Sequence, residues 1–252
     1  MAPFLDYVRQ DRRVTLILNR PERHNVIAAA DLPEFAAALD AIEADRTIGV
    51  VVVTARGAKS FSAGFDIGNI ATTDWDRNPL EAVVDRLEAL PMPTICALNG
   101  SVYGGATDLA IACDFRIGVT GMRLKVPAAQ LGVFYYINGL KRFVERVGPA
   151  AARRIFLLGE ELDAESLRAI GYLDRLVEPG ALAAATDALA RQLADTAPLA
   201  VSGMKRALVA ISRGTLDDQA ARQAVIRCFR SEDAQEGARA FAEKRLPRFV
   251  GR

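Results

Sequence analysis

Hydrophobic and polar positions alternate in blocks along this chain, and the blocks predict its elements. Residues 14–18 are a compact apolar run with Thr15 inside it, closed by Asn19-Arg20-Pro21-Glu22; this reads as a strand and a turn. From Asp31 the period changes. Asp31 is a candidate N-cap with Glu34 three residues on, and Leu32, Phe35, Ala36, Leu39 and Ile42 share one helical face. Residues 48–54 contain four consecutive valines, the pattern of a strand covered on both sides. A loop over 55–68 and a polar segment over 69–79, expected to be a mobile surface stretch, lead to an amphipathic helix over 80–90. Residues 94–98, 115–119 and 123–126 read as further short strands. Beyond Gly139 the pattern is helical, over about 140–147, 149–158, 164–170, 181–196, 199–211, 216–229 and 232–243. Strands separated by helices, then a helical tail, imply an α/β chain with an appended helical region, divided at 1–195 and 196–252. No sequence repeat of fixed period is present.

The stretch from Pro93 to Asp114 organises the rest. An apolar strand ends at Asn99-Gly100, and Gly104-Gly105 then opens a helix-compatible run, Ala106 to Cys113. Glycine admits a close approach of the backbone to a bound group. The first helical N–H groups have no partner within the helix, and the positive end of the helix dipole lies beside them. Together they suit an oxygen that gains negative charge, and Asp108 falls in the first turn next to that spot. The same residues also fit an ordinary helix start, with Asp108 merely favouring the dipole.

Composition narrows the field. The chain has 252 residues, 51% of them hydrophobic and 25% charged, enough for a sizeable core. A net charge of +1 favours neither nucleic acid nor an anionic membrane, and no membrane span is expected. Cys96, Cys113 and Cys228 have no metal-like spacing and read as reduced residues of a cytoplasmic protein; no metal site is expected. His24 is the single histidine, which makes a Ser-His-Asp triad or a multi-histidine site a poor fit. His24 and Asp114 are read as structural.

Three segments in order give a family resemblance. They are Leu18-Asn19-Arg20-Pro21-Glu22-Arg23-His24-Asn25, then Phe61-Ser62-Ala63-Gly64-Phe65-Asp66-Ile67, then Asn99-Gly100 through Gly104-Gly105 to Asp108 and Ala112-Cys113-Asp114. With the ending Phe241 to Phe249, they resemble the crotonase (enoyl-CoA hydratase/isomerase) superfamily over nearly the whole chain. The resemblance implies a spiral of ββα turns with a C-terminal helical trimerisation region, a homotrimer or homohexamer, and an acyl-CoA thioester substrate. No cofactor is implied beyond the coenzyme A moiety itself. It also implies an oxyanion hole made by the Phe65 and Gly105 N–H groups. Coenzyme A would lie along Arg23, Val26, Ala63, Gly64, Asp66 and Ile67, with Lys244 or Arg245 near its phosphates.

The pattern breaks at the carboxylates. Hydratases that this chain resembles use two glutamates. Asp108 stands at the first, and Ala128, in Pro127-Ala128-Ala129-Gln130-Leu131-Gly132, stands at the second. The segment from Gly132 to Gly139 carries Tyr135 and Tyr136 where common hydratases are glycine-rich. A tyrosine there is similar to the methylmalonyl-CoA decarboxylase branch. Tyr135 is therefore a catalytic candidate beside Phe65, Gly105 and Asp108, with pocket packing as the plain alternative. Three functions follow: an enoyl-CoA hydratase/isomerase-type lyase, a malonyl-type decarboxylase, or a non-catalytic acyl-CoA binder.

Overall fold

The computed structural model describes residues 3–66, 68 and 78–252. Each apolar run named above becomes a strand, and the short strands Ser60–Ser62 and Ser101–Tyr103, which the sequence does not announce, pair beside them in a second sheet. The strands are β1 (Leu5–Gln10), β2 (Arg13–Leu18), β3 (Val50–Ala55), β4 (Ser60–Ser62), β5 (Thr94–Leu98), β6 (Ser101–Tyr103), β7 (Phe115–Val119), β8 (Arg123–Lys125), β9 (Leu162–Asp163) and β10 (Arg175–Val177). Interleaved with them are α1 (Leu32–Ala44), α2 (Pro79–Ala89), α3 (Ala106–Ile111), α4 (Ile137–Leu157), α5 (Ala164–Ala169), α6 (Leu182–Ala194), α7 (Pro198–Ser212), α8 (Asp218–Phe229) and α9 (Glu232–Glu243).

One sheet runs β1-β2-β3-β5-β7-β10, parallel except for the β1–β2 edge; the other runs β4-β6-β8-β9. The pairs β3/β4, β5/β6 and β7/β8 are consecutive in the chain, and each lays one strand in each sheet. The backbone therefore advances as a spiral. The valines of β3 are buried on both faces, as β-branched residues in a covered parallel strand should be. Buried Leu32, Phe35, Leu39 and Ile42 of α1 and Leu80, Val83, Val84 and Leu87 of α2 join the same core.

Two local expectations are corrected by tertiary partners. Asp31 does not cap α1 with its side chain. Its carboxylate takes both terminal nitrogens of Arg20 at 2.8 Å and the Ala28 N–H at 2.7 Å. Glu34 accepts the Phe4 and Leu5 N–H groups instead of closing a capping box. The run through α4 is interrupted where the sequence separates two helices: Gly148 sits at φ +75°, just before Pro149, whose ring cannot continue the hydrogen-bond ladder.

The last three helices differ in kind from the rest. Neither α7 nor α8 has a buried residue, and Met204, Leu208, Ile211, Val225, Phe229 and Phe241 are exposed. Lys205 fastens α7 to the spiral through Asp114 at 2.7 Å.

Candidate active site

β4 and β6 are parallel neighbours, with Ser60 opposite Ser101. The chain therefore leaves both strands at the same end, where ligands of parallel sheets are held. After β4 the Ser62 hydroxyl donates to Asn25 O at 2.7 Å and accepts the Gly64 N–H at 3.1 Å, which turns the chain back along residues 24–27. Three backbone bonds fix that course: Ala63 N to His24 O, Ile27 N to Gly64 O and Asp66 N to Ile27 O, at 2.8–2.9 Å. Arg23 and Val26 are thus brought beside Ala63, Gly64 and Asp66, and Arg23 approaches the Asp66 carboxylate to 3.8 Å. Ile67, also expected here, lies outside the described residues.

Two glycines let the two strand ends meet. Gly64 has φ +96°, and a Cβ there would lie 2.6 Å from Tyr103 O. A Cβ on Gly105 would lie 3.8 Å from Phe65 N and 2.6 Å from Leu80 Cδ2. The Phe65 and Gly105 backbones are therefore immediate neighbours. Gly105 is the N-cap of α3, and its N–H has no acceptor among the described residues.

Every residue of α3 is buried, Asp108 completely. Its two carboxylate oxygens receive Arg142 Nε at 2.8 Å and Nη2 at 2.6 Å from α4. Burial pushes the carboxyl pKa above its ordinary value, and the Arg142 contact pulls it back. Arg142 is itself held strongly protonated by that contact, and its Nη1 reaches Asp85 at 2.8 Å and Glu88 at 3.3 Å, both on α2.

The Tyr135 ring stacks on Tyr136 at 4.6 Å and tilts against Phe156 at 4.8 Å. Its hydroxyl lies 3.4 Å from Gly104 O and 3.4 Å from Thr107 Oγ1. Burial raises its phenol pKa, so it is a neutral donor near pH 7. The Tyr136 hydroxyl is buried with no hydrogen-bond partner among the described residues. Ala128 precedes the turn Ala129–Leu131 and offers a methyl group where a carboxylate was sought.

Other candidates lie elsewhere. Lys244 is the exposed, left-handed cap of α9 and makes no ion pair among the described residues, whereas Arg245 is neutralised by Glu236 and Glu243 at 2.6 Å each. His24 contacts Ser60 Oγ, and Asp114 accepts the Thr94 N–H and hydroxyl, so both support local structure. A cavity of about 490 Å³ opens between α7 and the core; it includes Arg142 in its wall but neither Phe65 nor Gly105. Sequence reasoning missed Arg142. The signal was available: Gly139, Arg142 and Phe143 lie on one face of α4 and are all buried.

The family model described as enoyl-CoA hydratase/isomerase matches residues 10–252. The crotonyl-CoA hydratase of Syntrophomonas wolfei subsp. wolfei is 30% identical, covering 97% of this chain and 96% of its own. The 2,3-dehydroadipyl-CoA hydratase of Escherichia coli K12 is 32% identical, with 97% of each covered. A crystal structure titled an enoyl-CoA hydratase/carnithine racemase, from Magnetospirillum magneticum, superposes with a TM-score of 0.92 at 31% identity, over 100% of this chain and 97% of that one.

Proposed function

The chain belongs to the enoyl-CoA hydratase/isomerase family, and from that premise we propose that it is a lyase acting on an acyl-CoA thioester through an enolate. The α/β spiral with its helical C-terminal region is the fold that the sequence resemblance implied. One observation carries the reading: two backbone segments, joined at Phe65 and Gly105, meet at the start of a buried helix with Asp108 one turn further on.

In this reading the thioester oxygen accepts the Phe65 and Gly105 N–H groups. Negative charge on that oxygen grows as the enolate forms, so the donors bind the transition state better than the ground state. One such donor is worth roughly 3–4 kcal/mol. Asp108 moves the proton. For hydration of an enoyl thioester, Asp108 takes a proton from water, the hydroxyl adds at Cβ, and the proton passes to Cα. The reverse sequence is dehydration. Arg23, Val26, Ala63, Gly64 and Asp66 hold the coenzyme A moiety, and no other cofactor takes part. No helix among the described residues is long and apolar enough to cross a membrane.

A second reading is favoured by one specific pair of facts. Ala128 supplies no second carboxylate, and the Tyr135 hydroxyl stands beside Gly104. Decarboxylation of a malonyl-type thioester needs the oxyanion donors but no base; carbon dioxide leaves, and the tyrosine gives its proton to the enolate carbon. Turnover of crotonyl-CoA against methylmalonyl-CoA separates the two. Tight calorimetric binding of acetyl-CoA with no turnover of any acyl-CoA would leave only a non-catalytic binder.

A further inference from the structure

A buried charge cluster stands directly behind Asp108. Arg142 of α4 is 2% exposed and faces three carboxylates. Nε and Nη2 are committed to Asp108, and Nη1 to Asp85 and Glu88 of α2. Glu88 also takes Arg213 Nη2 at 2.7 Å, and Arg213, the residue that ends α7, contacts Glu145 of α4 at 2.8 Å. A continuous chain of ion pairs therefore runs from Asp108 to the end of α7, the first of the exposed C-terminal helices.

We propose that Arg142 is a positioning residue: its fork fixes the orientation of the Asp108 carboxylate and ties it through Glu88 to the end of α7. The inference rests on the reading of Asp108 as the proton-transfer group. A carboxylate with no exposed surface is driven towards its neutral form unless an opposite charge meets it. A guanidinium meets both oxygens at once with planar N–H groups, which an ammonium cannot do. The carboxylates on the far side of Arg142 prevent the fork from turning away. The groups facing Asp108 are Glu88 and, beyond Arg142, Asp85 on α2; Arg142 on α4; Tyr135 and Tyr136 on the segment before it; and Tyr172 from the loop before β10. Two signs follow. Glu88 is a like charge, so its removal lowers the pH at which Asp108 takes a proton. Arg142 is the opposing charge, so a weaker contact raises it.

The experiment follows the Asp108 carboxyl by ¹³C NMR in the full-length protein, assigned by its loss in Asp108→Asn, for wild type, Glu88→Gln and Arg142→Lys. Glu88→Gln is expected to lower the Asp108 midpoint. Arg142→Lys keeps the opposite charge but gives up the two-point contact, and is expected to raise the midpoint by less than the roughly one pH unit of a fully lost opposite charge. The acid limb of kcat should move with the midpoint in each variant, since a base that must be ionised loses activity as pH falls through its pKa, while KM changes less than about threefold. Folded variants whose midpoints stay at the wild-type value, or a limb that ignores the midpoint, overturn the role of Arg142. Should Arg142→Lys not fold, Glu88→Gln decides alone, because it leaves the guanidinium in place. If the variants give both shifts but the wild-type protein turns over neither crotonyl-CoA nor methylmalonyl-CoA, the proposed activity is overturned instead.

Discussion

Replacing Asp108 by Asn separates chemistry from scaffold. The substitution keeps size and one oxygen acceptor for Arg142 while removing the charge and the basicity. Abandoning one partner of a buried ion pair costs about 3–5 kcal/mol when the other is left alone. Arg142 is not left alone here: Asp85 and Glu88 remain at 2.8 and 3.3 Å. The stability loss should therefore be nearer the roughly 1–3 kcal/mol of an imperfectly satisfied buried group, read as a shifted urea midpoint with unchanged slope. The catalytic loss should be larger. General acid–base groups contribute about 10²–10⁴ in rate, or roughly 3–5 kcal/mol of barrier. The assay is kcat/KM on crotonyl-CoA and on methylmalonyl-CoA, with acetyl-CoA affinity as the control for an intact pocket. Tyr135→Phe is the comparator, and for a hydration it should cost much less than Asp108→Asn; for a decarboxylation it should cost at least as much. A folded Asp108→Asn protein that retains acetyl-CoA binding and loses less than tenfold in kcat on its true substrate would refute the assignment of Asp108 as the proton carrier.

Three further outcomes are expected. Gly105→Pro removes the N–H at the oxyanion position and so abolishes turnover; a folded Gly105→Pro protein with near wild-type rate would mean the hole lies elsewhere. The exposed apolar faces of α7, α8 and α9 beyond residue 196 should be covered in a homotrimer or a dimer of trimers; a monomer mass by light scattering at micromolar concentration would contradict this. The Glu236 carboxyl is held down to about 2 by Arg245 and the Arg248 N–H, below its ordinary 4.5. A lowered folded pKa means support that is complete above about 4.5 and lost as pH falls through about 2, so the Arg248 amide should lose exchange protection across that window and should lack it throughout in Glu236→Ala, which has no acceptor for it.

Much of the spiral could be read from the chain because its long strands are buried on both faces. The all-valine run of β3 and the run Thr94–Leu98 have no other good use. The strands that position the site were not legible. β4 and β6 are three residues each, and Ser60, Ser62 and Ser101 carry no apolar signal; only pairing in the second sheet makes them strands. β1 was missed for a related reason. It is an edge strand with Leu5 buried and Arg9 and Gln10 exposed, so it lacks the period of a half-buried strand. The glycines fared better: Gly64, Gly104 and Gly105 stood out because the backbone approaches they permit are their only contribution. Arg142 could be placed on a helix, but its partner Asp108 is 34 residues away, and no local pattern links the two. The same limit made Asp31 look like a cap when its carboxylate belongs to Arg20.

The central claim is that the Phe65 and Gly105 N–H groups polarise a thioester carbonyl, and the carbonyl itself reports on it. Isotope-edited infrared difference spectra of acetyl-CoA labelled with ¹³C at the thioester carbon would show its stretch free and bound. Two donors aimed at that oxygen draw electron density onto it and weaken the double bond, so the band should move to lower frequency on binding. The shift should persist in Asp108→Asn, which leaves both donors in place, and shrink in a folded Gly105→Pro protein, which keeps only the Phe65 N–H. A bound thioester whose carbonyl keeps its solution frequency would contradict the account, whatever the enzyme's turnover.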